Sequence, residues 1–292
     1  MTPAPTLERV WYGYLAAVVV VGLVAGAPHV PVADRLAHLA THVGVLAAVV
    51  AVHLLVRRRS AAAARPFRTA LAIVGLPIVF SAMAWLLPEV HPEPYEWLFL
   101  DWDRALCGGD FAALAWPYLR PWSVELLQWI YAVFYLVPIV AGIGALRGSG
   151  TAAFDRALLG LVGGFLASYL GYLLVPTLGP KVVLAFEHEL DGLWAAQRLR
   201  ASIDAAEANQ WDCFPSGHTM LTVTSLIVLW RWQRRWFWWL VVPAALLIAS
   251  TALLRYHWVV DVAAGAACAW PCLWLCDRLA DRDGWPAAPT SA

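Results

Sequence analysis

Charged residues are scarce in this chain, and their scarcity limits what kind of protein it can be. Only 14% of the 292 residues are charged, whereas a soluble domain carries about 25%. The formal net charge is zero, so the sequence offers no electrostatic reason to bind nucleic acid. Lysine occurs once, as Lys181, beside nineteen arginines. Because 61% of the residues are hydrophobic and lie in long runs, the sequence predicts a polytopic membrane protein.

A metal-binding pattern is also missing. The five cysteines include no Cys-x-x-Cys pair of the kind that binds zinc. Cys268, Cys272 and Cys276 recur at every fourth position of an apolar run, which is typical of small residues that pack along one helix face. The sequence therefore predicts neither a metal ion nor any other cofactor, and it leaves the oligomeric state open.

The apolar runs predict the fold class. A helix that crosses the bilayer needs about 20 residues, and about eight runs qualify wholly or in part: 11–27, 39–56, 69–87, 123–146, 157–175, 218–230, 237–254 and 258–276. The predicted fold is all-α, a polytopic membrane helical bundle with about eight transmembrane helices. Residues 1–150 are expected to form N-terminal helices and an outer interfacial loop, 151–283 a catalytic core, and 284–292 a disordered tail.

The placement of arginine predicts the orientation in the membrane. If the N-terminus is cytoplasmic, the inner segments carry thirteen Lys and Arg residues and the outer segments seven. Cytoplasmic loops normally carry this excess, so we expect an integral plasma-membrane protein with both termini in the cytoplasm. The long loops 88–122 and 176–215 then lie outside, where oxidation is possible. Each holds one cysteine, and the sequence predicts a disulfide between Cys107 and Cys213.

Residues 213–219, Cys-Phe-Pro-Ser-Gly-His-Thr, join a polar segment to an apolar run. Pro215 interrupts regular structure, and Ser216 and Gly217 are residues that commonly begin a helix. A helix N-terminus presents unused N–H groups and the positive end of the helix dipole. The sequence therefore predicts an anion site at Ser216 and Gly217, with His218 beside it as a group that can carry a proton near neutral pH.

A second cluster follows at 255–261, Arg-Tyr-His-Trp-Val-Val-Asp. In a helix that includes both residues, His257 and Asp261 would share a face because they are four apart. A carboxylate can fix the tautomer of a histidine and support the cation that forms when the ring acts as a nucleophile. A carboxylate such as Asp261 inside an apolar run costs at least about 2.5 kcal/mol, so we expect it to have a partner and a role.

Together these residues supply what phosphoryl transfer needs, which is positive charge, a nucleophile and a proton donor for the leaving oxygen. We expect His257 to be the nucleophile, Asp261 its orienting partner and His218 the proton donor. Lys181 and Arg255 are predicted to supply positive charge. The outer segment 192–209 is predicted to be an amphipathic helix, either a lid over the site or a connecting helix without a catalytic part.

Two short motifs resemble a known family. Pro-Ser-Gly-His at 215–218 and His-x-x-x-Asp at 257–261 are similar to the second and third motifs of the type 2 phosphatidic acid phosphatase superfamily. The resemblance covers roughly residues 157–276 and implies a helical catalytic core that works without a metal ion. It also implies that His257 is the nucleophile, that Asp261 orients it and that His218 is the general acid. The phosphate-binding residues that it implies are Lys181, Ser216 and Gly217.

Departures from the family motifs are similar to one branch of the superfamily. The first motif, Lys-x6-Arg-Pro in the family, is replaced by Leu-Gly-Pro-Lys at 178–181, and the third carries Ser-Thr at 250–251 where the family has Ser-Arg. These features, with Leu-Asp-Trp-Asp at 100–103, resemble the branch that includes the inositol phosphorylceramide synthases. Arg255 stands two residues before His257, and its role is left open.

The sequence therefore predicts an integral-membrane lipid-phosphate phosphatase that acts through a phosphohistidine on the non-cytoplasmic side. The alternative, which the branch resemblance favours, is a phosphotransferase that moves a phospho-headgroup onto a lipid or alcohol acceptor. A non-catalytic transporter or scaffold on the same fold would predict a broken His/His/Asp set, and that set is intact here. The expected partners are a lipid phosphate and membrane lipids.

Overall fold

Helices form nearly all of the regular structure. The computed structural model describes residues 6–24, 31–57, 59–91, 93–206, 209–287 and 289. Over these residues it is 80% helical, with 12 helices and no strand. The predicted all-α class is therefore confirmed.

In chain order the helices are α1 (Thr6–Val24), α2 (Val32–Val56), α3 (Ala61–Val90), α4 (Glu96–Cys107), α5 (Phe111–Ala115), α6 (Pro121–Ala132), α7 (Leu136–Leu174), α8 (Pro180–Val183), α9 (Ala196–Ala206), α10 (Gly217–Trp232), α11 (Arg234–Leu253) and α12 (Val259–Arg282). Among the described residues, six helices are long and apolar enough to cross a membrane: α1, α2 from Leu39 onward, α3, α7, α11 and α12. The protein is thus a polytopic membrane protein, as its composition predicts.

The predicted number of about eight spans is not confirmed, and two helices account for the difference. Helix α10 has 16 residues, fewer than the about 20 that a span needs. Helix α7 has 39 residues but departs from helical angles at Ser149 and Gly150. A Cβ on Gly142 would lie 3.6 Å from the Phe154 ring, whereas a straight helix would separate these positions by about 18 Å. The chain therefore folds back here, and α7 has two arms.

Helix α10 lies at the centre of the second half of the chain. It packs against α7, α11 and α12, and Leu221, Val228 and Leu229 on it are fully buried. Helices α1, α2 and α3 pack against one another, and α1 and α3 also pack against α7, around the buried side chains of Trp11 and Met83. Because neighbours surround α10, its N-terminal end is held in a fixed position within the bundle.

Ion pairs gather at one end of the bundle. They join α1, α3, α7, α10, α12 and the residue that follows α12, and their N···O distances are 2.5–2.9 Å: Arg9–Asp283, Arg65–Asp155, Arg68–Glu8, Arg156–Asp281 and Arg231–Asp277. Arg231 lies in the last turn of α10. These pairs therefore mark the end of the bundle opposite to the N-termini of α10 and α12.

The disorder predicted for residues 284–292 does not hold at Trp285. Its side chain is 8% exposed and packs in the core cluster that contains residues of α1 and α3. Its carbonyl oxygen accepts a hydrogen bond of 3.2 Å from Arg156. Burial of the large apolar indole stabilises this contact. Positions 288 and 290–292 lie outside the described residues.

Helix α12 passes very close to the start of α10 at Gly265. A Cβ on Gly265 would lie 2.4 Å from the carbonyl oxygen of Ser216 and 3.3 Å from the backbone nitrogen of Met220. Both atoms belong to the backbone, so a side chain here could be accommodated only by moving one helix. The absence of a side chain at this position therefore sets the distance between the two helices that carry the motifs.

Gly265→Ala should destabilise the protein by about 1–3 kcal/mol, the usual cost of adding atoms to a closely packed contact. Gly13→Ala is the matched control, because a Cβ on Gly13 would have no atom within 4 Å, and it should be neutral or stabilising by up to about 1 kcal/mol. The measurement is the midpoint of thermal unfolding in one detergent. Equal midpoints for the two variants would contradict the close approach.

Candidate active site

The first part of the site is the N-terminus of α10. Ser216 is the N-cap residue, as the sequence predicts, and its Oγ accepts a hydrogen bond of 3.3 Å from the backbone N–H of Thr219. Gly217 and His218 are the first residues of the helix, where N–H groups have no intrahelical acceptor. A Cβ on Gly217 would lie 2.2 Å from the hydroxyl oxygen of Tyr172, so only glycine fits without a shift. This helix end can receive an anion.

His257 and Asp261 are brought together differently from the helical-face arrangement. Helix α12 begins at Val259 with Trp258 as its N-cap, so His257 precedes the helix. Asp261 reaches back instead: its Oδ2 accepts a hydrogen bond of 3.2 Å from the Trp258 N–H and lies 3.4 Å from Nδ1 of His257. The backbone N–H of His257 donates to the carbonyl of Thr251 at 3.0 Å. The imidazole is thus oriented by Asp261, while the backbone that carries it is tied to Thr251.

The two histidines of the motifs meet at the centre of the site. Nε2 of His257 lies 3.4 Å from Nδ1 of His218. His218 is 9% exposed, His257 5% and Asp261 0%, so this group is almost entirely shielded from solvent. In addition, the N–H of Ser216 donates to the backbone carbonyl of Asp261 at 3.1 Å. That bond joins the start of α10 to the first turn of α12.

Aromatic rings hold His218 in place. Its imidazole stacks on Tyr131 with ring centroids 4.6 Å apart, and Tyr131 stacks on Tyr256 at 4.2 Å. Nζ of Lys181 lies 4.4 Å from the centroid of the Tyr256 ring, close enough for a cation–π contact. A continuous column therefore runs from the ammonium group, through two tyrosine rings, to the imidazole.

Helix α9 contacts the site through Lys181. Nζ of Lys181 lies 2.5 Å from Oδ1 of Asp204 on α9. The N-terminus of α9 is held by Glu125 of α6, whose carboxylate accepts hydrogen bonds of 2.9–3.2 Å from the backbone N–H groups of residues 193–196. The segment predicted as a lid or a connecting helix is therefore fixed at one end and paired with a candidate site residue near the other.

The N-terminus of α12 is occupied by another carboxylate. Asp103 of α4 is 3% exposed, and its two oxygens accept hydrogen bonds of 2.9 Å from the N–H groups of Val259 and Val260. Burial raises the pKa of the Asp103 carboxyl, while these two donors oppose the rise. At the N-terminus of α12, two backbone N–H groups thus already have carboxylate acceptors from another helix.

Arg255 does not join the group of His218, His257 and Asp261. Its backbone has a φ of 69°, which is uncommon for a residue other than glycine. Its guanidinium donates to the carbonyl of His188 at 2.9 Å and lies 3.8 Å from the ring centroid of Phe186. Burial, with Arg200 nearby, lowers the pKa of this guanidinium.

The predicted disulfide between Cys107 and Cys213 is wrong, because both residues are thiols. Cys213 is buried and donates its S–H to the carbonyl oxygen of Tyr256 at 3.4 Å. The bond contributes to holding the segment before His257 against the segment before α10. The prediction failed because two cysteines on the same side of a membrane need not come within bonding distance.

Sequence reasoning missed the residues that support the site. Asp103 caps α12, Tyr131 stacks on His218 and Asp204 pairs with Lys181. Glu125 holds the start of α9, the helix that carries Asp204. A signal existed for Glu125, since an ionisable residue inside a predicted span is usually functional. Asp103 lies in the stretch 100–103 that resembles one branch of the family, but its contact with α12 has no local signal. Tyr131 and Asp204 have no signal, because their contacts cross between distant parts of the chain.

Comparison with known proteins identifies a family. A family model described as the PAP2 superfamily matches residues 96–275, which is more than half of the chain. No curated protein and no solved structure matches the chain. The matched region begins at α4, so it includes the carboxylates of Asp103 and Glu125 as well as both histidine motifs.

Asp103→Ala should loosen the first turn of α12. Loss of a helix-capping acceptor costs about 0.5–2 kcal/mol, so we expect a lower midpoint of thermal unfolding and faster amide hydrogen exchange at Val259 and Val260. Asp103→Asn keeps one acceptor oxygen and should be intermediate. Asp101→Ala, on the exposed side of the same helix, is the matched control. Unchanged exchange at Val259 and Val260 in Asp103→Ala would refute the capping role.

Proposed function

The chain belongs to the PAP2 superfamily, and from this premise we propose that it is an integral-membrane lipid-phosphate phosphatase that acts through a phosphohistidine. Membership suggests a phosphatase or phosphotransferase that acts on lipid phosphates in membranes. The observation that carries the finer proposal is the contact between His257 and His218 at 3.4 Å, with Asp261 behind His257. Two imidazoles and a carboxylate in this order can supply a nucleophile and a proton donor.

In the first step, Nε2 of His257 attacks phosphorus and the bond from phosphorus to the lipid oxygen breaks. His218 donates its proton to the departing oxygen, so the lipid leaves as an alcohol. Asp261 accepts the hydrogen bond from Nδ1 of His257 and stabilises the positive charge that develops on the ring. In the second step, water attacks phosphorus, the N–P bond breaks, and His218 regains a proton from that water.

The phosphate oxygens would be bound at the start of α10. The N–H groups of Gly217 and His218, the hydroxyl of Ser216 and the positive helix end suit an anion. The N-terminus of α12 cannot compete, because Asp103 already accepts hydrogen bonds from its N–H groups. Lys181 would add a positive charge once phosphate replaces Asp204 as its partner.

The charge distribution supports an orientation. The candidate site lies at the end of the bundle opposite to the ion pairs of Arg65, Arg68, Arg156 and Arg231. Because arginine-rich ends face the cytoplasm, we assign both termini to the cytoplasmic side of the plasma membrane and the site to its outer side.

A cleft beside His257 favours the second candidate, a phosphotransferase similar to the inositol phosphorylceramide synthases. The cleft is lined by Asp103, Asp110, Phe111 and Trp258 among others. Carboxylates can accept hydrogen bonds from the hydroxyl groups of an acceptor alcohol. Such an alcohol would then take the place of water in the second step.

One assay distinguishes the two functions. Purified protein is supplied with a panel of lipid phosphates, with and without acceptor alcohols and ceramide-type lipids. A phosphatase releases inorganic phosphate at a rate that the acceptors do not change. A transferase forms a phosphomonoester of the acceptor from a lipid phosphomonoester, at the expense of free phosphate, and a phosphodiester from a lipid that carries a phospho-headgroup. Absence of both products over the whole panel would refute the proposed function.

His257→Ala should abolish turnover without loss of expression, because it removes the proposed nucleophile. His218→Ala should slow the reaction by about 10²–10⁴-fold on alkyl phosphates and by less on aryl phosphates, whose leaving groups need no proton. The measurement is kcat for each variant on both ester types. Equal losses on alkyl and aryl phosphates would rule out the general-acid role of His218.

Lys181→Met should reduce kcat/KM by about 10–100-fold, since a charge-assisted contact to phosphate is lost. Lys181→Arg should keep substantial activity, because a guanidinium also pairs with phosphate oxygens. Asp204→Asn should lower KM without lowering kcat, because the substrate phosphate no longer competes with the Asp204 carboxylate for the ammonium group of Lys181. If Lys181→Met had wild-type kcat/KM, another cation would have to bind the phosphate.

A further inference from the structure

We propose that Cys213, His257 and Asp261 form a binding site for a thiophilic divalent cation such as Zn²⁺, and that occupation of this site inhibits the enzyme. The three residues come from two segments of the chain that the fold joins through the hydrogen bond from Cys213 to Tyr256. Cation binding depends on this geometry alone, whereas the inhibition rests on the proposed function.

The distances suit a tetrahedral metal ion. The sulfur of Cys213, a ring nitrogen of His257 and a carboxylate oxygen of Asp261 lie within 4.8 Å of one another, and all three residues are buried. With bonds of about 2.0–2.3 Å, tetrahedral zinc places its ligand atoms about 3.3–3.8 Å apart. Nδ1 of His257 and Oδ2 of Asp261 are already 3.4 Å apart. The sulfur therefore needs to move by about 1 Å or less.

A second, independent observation concerns the other oxygen of Asp261. This residue is 0% exposed, and its Oδ1 accepts no hydrogen bond from the residues that the structure describes. A buried carboxylate oxygen without a donor is costly. A cation bound by the Asp261 carboxylate would place positive charge beside this oxygen and offset part of that cost.

Charge and ligand type favour zinc over magnesium or calcium. On binding, the thiol of Cys213 releases its proton to solvent, and the thiolate and the Asp261 carboxylate together balance a charge of +2. The buried site is then neutral. Thiolate and imidazole ligands select Zn²⁺, whereas Mg²⁺ and Ca²⁺ prefer oxygen ligands throughout.

The predicted consequence is inhibition through the tautomer of His257. Nδ1 is the ring nitrogen that faces Asp261, and a metal ion bound there uses its lone pair. The remaining ring proton then resides on Nε2, the atom proposed to attack phosphorus, which is left without a lone pair. The same ion also takes the carboxylate of Asp261 away from its orienting role.

A cleft reaches His257, and Asp103, Asp110 and Trp258 also line it. It gives a divalent ion access to one of the three proposed ligands.

The test uses the purified full-length protein in detergent and two readouts. Cobalt(II) serves as a spectroscopic substitute for zinc, and a sulfur-to-cobalt charge-transfer absorption reports binding to the thiolate of Cys213 without any turnover. In parallel, lipid phosphate hydrolysis is titrated with Zn²⁺ and with Mg²⁺, and each variant is normalised to its own activity without added metal. The variants are Cys213→Ser and Cys213→Ala, and Cys107→Ser is the matched control.

We expect the absorption in the wild type and in Cys107→Ser, and its loss in both Cys213 variants. The Zn²⁺ concentration for half-inhibition should rise by at least about 10–100-fold in those variants, and Mg²⁺ should not inhibit. No absorption in the wild type, or inhibition that does not depend on Cys213, would overturn the metal site. If both Cys213 variants fail to fold, equal inhibition of the wild type by Mg²⁺ and Zn²⁺ would still overturn it. A cobalt signal in a protein that turns over no phosphate ester would overturn the proposed function and support the metal site.

Discussion

The first turn of α12 is the point on which the site depends, because a fully buried carboxylate must be partnered inside a membrane protein. Oδ2 of Asp261 meets this constraint through contacts with the N–H of Trp258 and with the ring of His257. Its backbone carbonyl accepts the N–H of Ser216. One residue therefore orients the candidate nucleophile, caps its own helix and fixes that helix against α10. The close approach at Gly265 makes the last contact possible.

Two further carboxylates extend this arrangement to the outer loops. Asp103 caps α12 and Glu125 caps α9, and both lie in the segment from α4 to α6. Backbone N–H groups at helix starts are obligatory donors, so a buried helix end requires an acceptor. In this fold the acceptors come from parts of the chain that are distant in sequence. The polar loop before α6 is thus a structural part of the site, which agrees with the start of the family match at residue 96.

The two ends of the bundle differ in how their charges are satisfied. At one end arginines pair with carboxylates and connect the long helices. At the other end carboxylates cap helices, and the ammonium group of Lys181 pairs with Asp204 beside an aromatic column. The pair of Lys181 and Asp204 is partly exposed, whereas the pair of Arg68 and Glu8 is buried. The candidate chemistry is therefore confined to one end.

The sequence by itself determined the membrane class, the all-α fold and the family, because hydrophobicity and short motifs are local properties of a chain. It also placed a helix start at Ser216, since capping depends on neighbouring residues. It could not determine that Arg255 turns towards His188, or that Cys213 donates a hydrogen bond to the carbonyl of Tyr256. The same holds for Asp103, Glu125 and Tyr131. Their contacts join residues far apart in sequence, and only tertiary packing, such as that of α4 against α12 and of α6 against α9, brings such residues together.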